Sequence, residues 1–241
     1  MNIKLKIEYD GTNYSGWQKQ QNLRTIQDEI EKAIKKITNQ EIEVHGSGRT
    51  DAGVHALGQV ANFEIETKIP AEKMKFALNQ HLPDDIRILS SEEADAGFHS
   101  RFSAKGKTYR YRIQTGEVKR PFERNTAYFV RGDLDIGKMR ESAQYLIGEH
   151  NFASFKSEGS SAKNFVREIF SIEIRKTEDI IEMEISGNGF LYNMVRIIVG
   201  TLVEIGKGRN LDIPEILSQE KREFAGPTAP AHALFLKEVY Y

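Results

Sequence analysis

The sequence predicts an α+β protein whose strands and helices form two halves that share one mostly antiparallel sheet. Five segments alternate apolar and polar residues with the two-residue period of a half-buried strand. Between them lie stretches with the 3.6-residue apolar period of helices. This order of elements repeats loosely, which predicts an N-terminal half over residues 1–102 and a C-terminal half over residues 103–241.

The strand predictions rest on alternation within each segment. In the first segment Ile3, Leu5 and Ile7 share one face, while lysine and glutamate side chains occupy the other. Because each segment has one clean apolar face, we expect antiparallel pairing with the opposite face wet or covered by different elements. The other four segments are 61–65, 109–113, 170–174 and 181–185.

Four helices are predicted between the strands. The first follows Thr25, which we expect to cap it, and its apolar stripe includes Ile26, Ile30 and Ile34. The other three cover residues 71–82, the segment after Asp135, and the segment from Phe190 onward. The last of these is apolar nearly all round, which predicts deep burial.

The composition is typical of a soluble globular protein without cysteine. The 241 residues carry 34 Lys and Arg against 35 Asp and Glu, and 39% are hydrophobic. The lack of cysteine removes disulfides, cysteine-containing zinc sites and thiolate nucleophiles. The N terminus has no run of apolar residues, and the apolar-rich stretch 190–205 is too short and too polar to cross a bilayer. We therefore expect a cytoplasmic protein with no membrane association.

Local charge is less balanced than the total. Residues 97–132 hold nine Lys and Arg but only two acidic residues, with seven aromatic residues interleaved. A run of charge is often only a solvated surface. Cations that bind phosphates, combined with flat rings that stack on bases, indicate a nucleic-acid surface instead.

The segment from His45 to Phe63 is the densest in candidate functional residues. Its glycines frame Arg49, Thr50 and Asp51, and it fits neither a dinucleotide-binding nor a P-loop pattern. Asp51 is either a turn cap or a working carboxylate. The histidines lack the clustering of a metal site, so we expect them to be structural and predict no metal.

A second polar cluster precedes the apolar helix, which carries Arg196 among apolar residues. An arginine there is costly unless it meets a carboxylate. Asp51 is our candidate partner, because the pairing would favour its ionised form. The alternatives are that Arg196 extends to solvent or pairs with Glu204 or another acid.

Several segments share residues and order with a known family. They are EYDGTNYSGWQ, GSGRTDAGVHALGQVANF, KTYRYRI, NGFLYNMVRIIVGTL and AGPTAPAHALFLKEVYY. Over the whole chain the sequence resembles the bacterial tRNA pseudouridine synthase A family. The resemblance implies an isomerase that converts uridines 38, 39 and 40 of the tRNA anticodon stem-loop to pseudouridine. It also implies two ferredoxin-like halves related by a pseudo-twofold axis, with a central catalytic cleft, and a homodimer that binds tRNA without a cofactor.

The resemblance also assigns roles to four residues of this chain. Asp51 matches the catalytic aspartate, and Tyr109 matches the tyrosine that stacks on the target uracil. Arg49 matches an arginine that helps to extrude the base, and Arg196 matches the arginine that pairs with the catalytic carboxylate. Whether Asp51 attacks C1′, adds to C6 or removes the 2′ proton stays open.

Two other classes of protein fit part of the pattern. A non-catalytic RNA-binding protein would use the basic and aromatic segment, but it has no use for an acid facing RNA. A glycoside hydrolase usually needs two carboxylates around one bond, and Asp51 is the single obvious candidate.

Overall fold

The computed structural model describes residues 1–159 and 162–241, and these residues form ten strands and five α-helices. The strands are β1 (Asn2–Tyr9), β2 (His45–Gly46), β3 (His55–Glu64), β4 (Ile86–Ala94), β5 (Gly106–Gly116), β6 (Tyr128–Arg131), β7 (Gly148–Asn151), β8 (Val166–Thr177), β9 (Ile180–Gly187) and β10 (Leu234–Tyr240). The helices are α1 (Ile26–Thr38), α2 (Met74–Asn79), α3 (Ile136–Gln144), α4 (Met194–Gly206) and α5 (Ile213–Gln219). The predicted α+β class is confirmed.

The chain folds into two compact units. The N-terminal unit contains residues 1–105 and also residues 235–241, and the second unit contains residues 106–234. The C-terminal strand β10 therefore lies mainly with the N-terminal unit, whereas the sequence pattern assigns residues 103–241 to a single half. Local periodicity does not predict that β10 pairs with the N-terminal unit, because its partner β3 lies more than 170 residues away in sequence.

The N-terminal unit is built on a sheet in which β4, β1, β3 and β10 follow one another. The pairs of β1 with β3 and β4 are antiparallel, and β10 runs parallel to β3. The predicted alternation of β1 is confirmed, because Ile3, Leu5 and Ile7 are fully buried. Full burial of such an aliphatic side chain contributes about 1.5–3 kcal/mol.

Helix α1 has the predicted apolar stripe, but it begins without the predicted side-chain cap. Ile26, Ile30 and Ile34 are fully buried. Thr25 occupies the N-cap position, and its hydroxyl makes no capping hydrogen bond. The carbonyls of Gly16 and Trp17 accept from the Ile26 and Gln27 amides at 3.2 and 3.0 Å, so the first turn is satisfied by backbone instead.

The strands of the second unit are also mostly antiparallel. Strands β5, β9, β8 and β7 follow one another in antiparallel pairs, and β6 pairs with β5 in parallel. Helix α3 contacts α4 and β8, and its N-cap Asp135 accepts a hydrogen bond from the Lys138 amide at 3.0 Å.

Helix α4 is buried nearly all round, as predicted, but it starts later than expected. It begins at Met194 rather than at Phe190, because Asn193 adopts a left-handed backbone conformation with φ 61°. Gly200 lets the segment around Pro227 approach the helix, since a Cβ there would lie 1.8 Å from the Pro227 carbonyl oxygen. Among the helices formed by residues 1–159 and 162–241, none is long and apolar enough to cross a membrane.

Candidate active site

The loop that carries Asp51 joins β2 to β3 in the N-terminal unit. Thr50 is buried, Asp51 is half-buried and Arg49 is exposed. Strand β2 is only two residues long and pairs with Asn62 and Ala61 of β3. Such a short strand cannot by itself fix an eight-residue connection, so the loop depends on bonds from the surrounding chain.

The first of these bonds come from Gln59, a fully buried residue of β3. Its Oε1 accepts from the Ser47 hydroxyl at 2.6 Å and from the Val60 amide at 3.2 Å. Its Nε2 donates to the Gly48 carbonyl oxygen at 3.0 Å. One amide side chain therefore holds both residues at the start of the loop in a dry environment, where unmet polar groups are costly.

Replacing Gln59 by Leu is expected to lower the free energy of unfolding by about 2–4 kcal/mol, because it leaves buried polar groups of the loop unpaired. Urea unfolding of the purified protein measures this change. Gln20, whose amide side chain bonds at the surface, provides the matched control. Gln20→Leu should change stability little, and an equal loss in both variants would contradict the role of Gln59.

A second set of bonds holds the middle of the loop. The buried hydroxyls of Tyr9 and Thr50 lie 2.8 Å apart. The Thr50 carbonyl accepts from the Trp17 amide at 3.0 Å. Gly16, at φ 93°, permits this approach, since a Cβ there would lie 2.5 Å from the Thr50 carbonyl oxygen. Burial raises the pKa of Tyr9, which therefore stays a neutral partner of Thr50 at neutral pH.

Arg49 leaves this loop toward solvent, but its side chain is oriented. Its Nε donates to Gln18 Oε1 at 3.1 Å, and Gln18 Nε2 donates to Gln27 Oε1 at 2.9 Å. Gln27 is buried in the first turn of α1. A chain of amides thus connects the exposed guanidinium to the helix, which lowers the entropy that a bound ligand would have to remove.

The other two predicted site residues lie in the second unit. Tyr109 is half-buried in the first half of β5, and its ring meets the Phe190 ring edge-on with centroids 5.2 Å apart. This edge contact fixes the orientation of the tyrosine ring. Arg196 lies in the first turn of α4 and is also half-buried.

The Arg196 guanidinium is held by partners that the sequence interpretation does not include. Its Nε donates to the Ala229 carbonyl oxygen and its Nη1 donates to Asn193 Oδ1, both at 2.7 Å. The Ala229 amide in turn donates to the Arg196 carbonyl oxygen at 3.0 Å. Glu204, one of the alternative partners, binds Lys207 and Arg209 instead. Arg196 is therefore fixed by its own unit rather than extended along the helix surface.

The segment that holds Arg196 is anchored by a buried tyrosine. The Tyr111 hydroxyl donates to the Pro230 carbonyl oxygen at 2.8 Å, next to Ala229. Burial raises the pKa of Tyr111, so it remains a donor at neutral pH. Alternation along KTYRYRI distinguishes the two faces of β5. It does not indicate that Tyr111 supports Arg196 by bonding the segment that contains Ala229 and Pro230.

The basic segment 97–132 is partly neutralised in the structure. Arg110 pairs with Glu184, Arg112 with Glu123, and Arg120 with Asp179, at 2.7–2.9 Å. Glu184 lies on β9, outside residues 97–132, so a charge count over that segment does not include it. Arg101, Lys105 and Arg131 are exposed cations of the segment, and because other arginines are paired, the basic surface is smaller than the sequence indicates.

The histidines of the glycine-rich segment differ in burial. His55 is buried, stacks on Phe235 with centroids 4.7 Å apart, and its Nδ1 accepts from the Gly11 amide at 3.0 Å. These contacts agree with the structural role expected for it. Within the part of the chain that the structure describes, no group of three or more His, Asp or Glu side chains is placed to hold a metal ion.

Comparison with known sequences assigns the family. The sequence profile of the family described as "tRNA pseudouridine synthase" matches residues 6–103 and 142–241. The chain is 52% identical over 242 residues to "tRNA pseudouridine synthase A" of Acetivibrio thermocellus, covering 100% of this chain and 99% of that protein. It is 54% identical over 244 residues to "tRNA pseudouridine synthase A 2" of Clostridium tetani, covering 100% and 98%. The chain therefore belongs to the tRNA pseudouridine synthase family, a family of isomerases.

Among solved structures, a chain of the "archaeal box H/ACA sRNP Nop10-Cbf5 complex" matches 83% of this chain and 42% of its own length. The two are 15% identical, with a TM-score of 0.40. The family assignment rests on the sequence relatives.

Proposed function

We propose that this enzyme isomerises uridines 38, 39 and 40 in the anticodon stem-loop of tRNA to pseudouridine, with Asp51 as the catalytic carboxylate. Family membership supports the reaction class, and the names of the relatives support tRNA as the substrate. The observation that carries the role of Asp51 is its loop, in which Gln59 holds Gly48, and Tyr9 and Trp17 hold Thr50, next to the half-buried Asp51. A simple surface turn needs no such support.

The proposed reaction conserves all atoms of the nucleotide. The bond from ribose C1′ to uracil N1 breaks, the base turns, and C1′ joins C5. The proton of C5 leaves and N1 gains a proton, so the reaction needs no redox cofactor. Asp51 acts in its ionised form by attacking C1′, adding to C6 or removing the 2′ proton. Each route requires a carboxylate that is free of a proton.

The target base must leave the stem before it can react, at a cost of a few kcal/mol. We assign Arg49 to this step, because its guanidinium extends to solvent from the same loop as Asp51 and is oriented by Gln18. Tyr109 then stacks on the extruded uracil, an interaction worth about 1–3 kcal/mol per base. The edge contact from Phe190 keeps the tyrosine ring ready to stack.

Arg196 has the role of keeping the catalytic carboxylate ionised in this proposal. A neighbouring guanidinium favours the charged form of a carboxyl group. The bonds that the guanidinium donates to Asn193 and Ala229 fix its plane before substrate arrives, which avoids the entropy cost of ordering a long side chain.

We further propose that the enzyme acts in the cytoplasm as a homodimer that binds tRNA without a cofactor, as the family resemblance implies. Exposed cations such as Arg101, Lys105 and Arg131 would contact phosphates, which makes binding salt-dependent.

Replacing Tyr109 by Phe is expected to lower kcat/KM less than replacing it by Ala, because phenylalanine retains the stacking face. The Ala variant should lose about 5- to 150-fold, the range that corresponds to one base stack. Initial rates on tRNA transcripts measure both variants. Equal losses would contradict stacking as the main role and indicate the hydroxyl instead.

The product identifies the reaction class. Wild-type enzyme and unmodified tRNA transcript should yield intact RNA in which uridine has become reactive to cyanoethylation, with no free uracil. A non-catalytic RNA-binding protein would leave the RNA unchanged. A glycoside hydrolase would release uracil, and either result would contradict the proposed isomerisation.

A further inference from the structure

Three neighbouring rings lie in series on the N-terminal unit, apart from the residues assigned above. The His45 and His99 rings are stacked with centroids 5.1 Å apart and an interplanar angle of 25°. The Phe102 ring contacts His99 with centroids 4.4 Å apart, tilted at an interplanar angle of 41°. We call His45, His99 and Phe102 the ring column. Three rings in series form a continuous aromatic cluster rather than scattered apolar side chains, and Phe102 presents its own ring face at one end.

The outer end of the ring column is open to solvent and carries a cation. Phe102 is 77% exposed, so its ring is accessible to a ligand. The Arg101 guanidinium carbon lies 5.7 Å from the Phe102 centroid, and Lys105 is also exposed nearby in sequence. At the inner end of the column, Glu43 Oε1 lies 3.9 Å from His45 Nδ1. The exposed end is therefore cationic.

The turn that presents this surface is rigid because every polar group of Ser100 is bonded. Its amide donates to Asn62 Oδ1 at 2.8 Å, and its hydroxyl donates to the His45 carbonyl oxygen at 2.5 Å. Its carbonyl oxygen accepts from the Tyr241 hydroxyl at 2.8 Å. Ser100 itself is fully buried. The exposed ring thus stands on a base that is already ordered, which favours binding.

The inner end of the ring column is continuous with the loop that carries Asp51. His45 begins β2, and the chain continues from this strand through Gly48 to Asp51. Burial and the neighbouring His45 lower the pKa of His99, so its ring is neutral at pH 7 and stacks as a flat surface. A ligand at Phe102 would be bound on the same rigid unit that carries the catalytic loop.

We propose that the ring column is a second base-binding platform, on which an unpaired nucleotide of the RNA substrate, other than the uridine being isomerised, stacks on Phe102. Arg101 contacts the phosphate of that nucleotide. This inference rests on the proposed function, because it takes RNA as the substrate.

A ring with a guanidinium beside it suits a nucleotide, which combines a flat base with an anionic phosphate. A second copy of this chain would cover the ring too, but it would bring the same exposed cations to the contact. Charge complementarity therefore favours RNA over self-association at this surface.

The test compares tRNA binding by Phe102→Ala, Phe102→Tyr and the wild-type enzyme. Phe102→Ala should raise the Kd for tRNA about 5- to 150-fold, the range for losing one base stack, and KM should rise in parallel. Phe102→Tyr keeps a stacking face and should stay within about threefold of wild type. Phe76→Ala is the matched control, since Phe76 is 56% exposed on the same unit and lies beside Lys73 and Lys75. It should bind tRNA like wild type.

The Phe102→Trp variant tests stacking directly, because tRNA should quench the fluorescence of the added indole. Trp17 is buried and should therefore not be quenched by tRNA. Unquenched emission, an unchanged Kd in Phe102→Ala, or equal losses in the Phe76 control would overturn the proposal. A change from dimer to monomer in Phe102→Ala, seen by sedimentation, would overturn it in favour of a subunit contact. Pseudouridine formation by the wild-type enzyme is measured on the same tRNA preparation. If the wild-type enzyme forms pseudouridine, a negative result with the Phe102 variants counts against the ring column and not against the proposed function.

Discussion

Replacing Asp51 by Asn is expected to abolish pseudouridine formation, with a loss on the order of 10⁴-fold or more in the single-turnover rate. Asparagine has nearly the same shape, so the loop bonds through Gln59, Tyr9 and Trp17 should survive. The amide cannot act as a nucleophile or a base at neutral pH. Release of tritium from tRNA that contains 5-tritiated uridine measures the rate, because the C5 proton leaves during the reaction.

The Asn variant should still bind tRNA within a few-fold of wild type, which separates lost chemistry from lost binding. Asp84→Asn is the matched control, since Asp84 lies on the same unit in an exposed pair with Arg87. Exposed pairs contribute about 0–1 kcal/mol, so this control should retain its rate. Appreciable tritium release by Asp51→Asn would exclude Asp51 as nucleophile or base.

The second large effect is expected for Arg196→Met, which removes the guanidinium and keeps a long apolar side chain. A neighbouring opposite charge changes a carboxyl ionisation equilibrium by about 10- to 1000-fold. We therefore expect kcat to fall most steeply at low pH, and the acidic limb of the pH–rate profile to move to higher pH. The direction follows because a carboxylate without its cation binds a proton more readily.

Arg196→Lys is the informative second variant. Lysine keeps the charge, but it lacks the planar group that bonds Ala229 and Asn193 together. It should keep the position of the acidic limb better than methionine while losing part of kcat. Arg175→Met, in an exposed pair with Glu173 on β8, serves as the control and should leave the profile unchanged. A pH profile that does not move in Arg196→Met would contradict the pairing with the catalytic carboxylate.

The sequence predicts the fold best for strands and helices that are buried on one face only. Strand β1 and helix α1 each have one apolar face, and both have the burial that their patterns indicate. Asp135 was expected just before α3, and it caps that helix. In these elements local propensity and tertiary packing favour the same structure, so pattern and structure agree.

Prediction fails where an element is short or lies at an edge. Strand β4 is outermost in the sheet of the N-terminal unit, and its polar second half obscures the alternation that Ile86 and Ile88 begin. Helix α5 has seven residues, too few for a clear helical period. Helix α4 begins later than predicted because Asn193 has a left-handed backbone conformation, and the apolar content of the segment does not indicate that conformation.

In the candidate site, the sequence predicts the residues with distinctive chemistry but not the residues that hold them in place. Residues with distinctive chemistry, such as Asp51 and Arg196, stand out in the sequence. The supporting residues do not, since Gln59 and Asn193 act through bonds to partners brought close by folding. A signal for Gln59 was present, because an uncharged polar residue inside the buried run LGQVANF requires a buried hydrogen-bond partner.

The most direct test of the central claim uses three tRNA transcripts, each with a single uridine among positions 38, 39 and 40. Carbodiimide treatment and reverse transcription then locate any pseudouridine that forms. We predict modification at that position in every transcript with the wild-type enzyme, and none with Asp51→Asn. Modification at other positions only, or equal modification by Asp51→Asn, would contradict the claim.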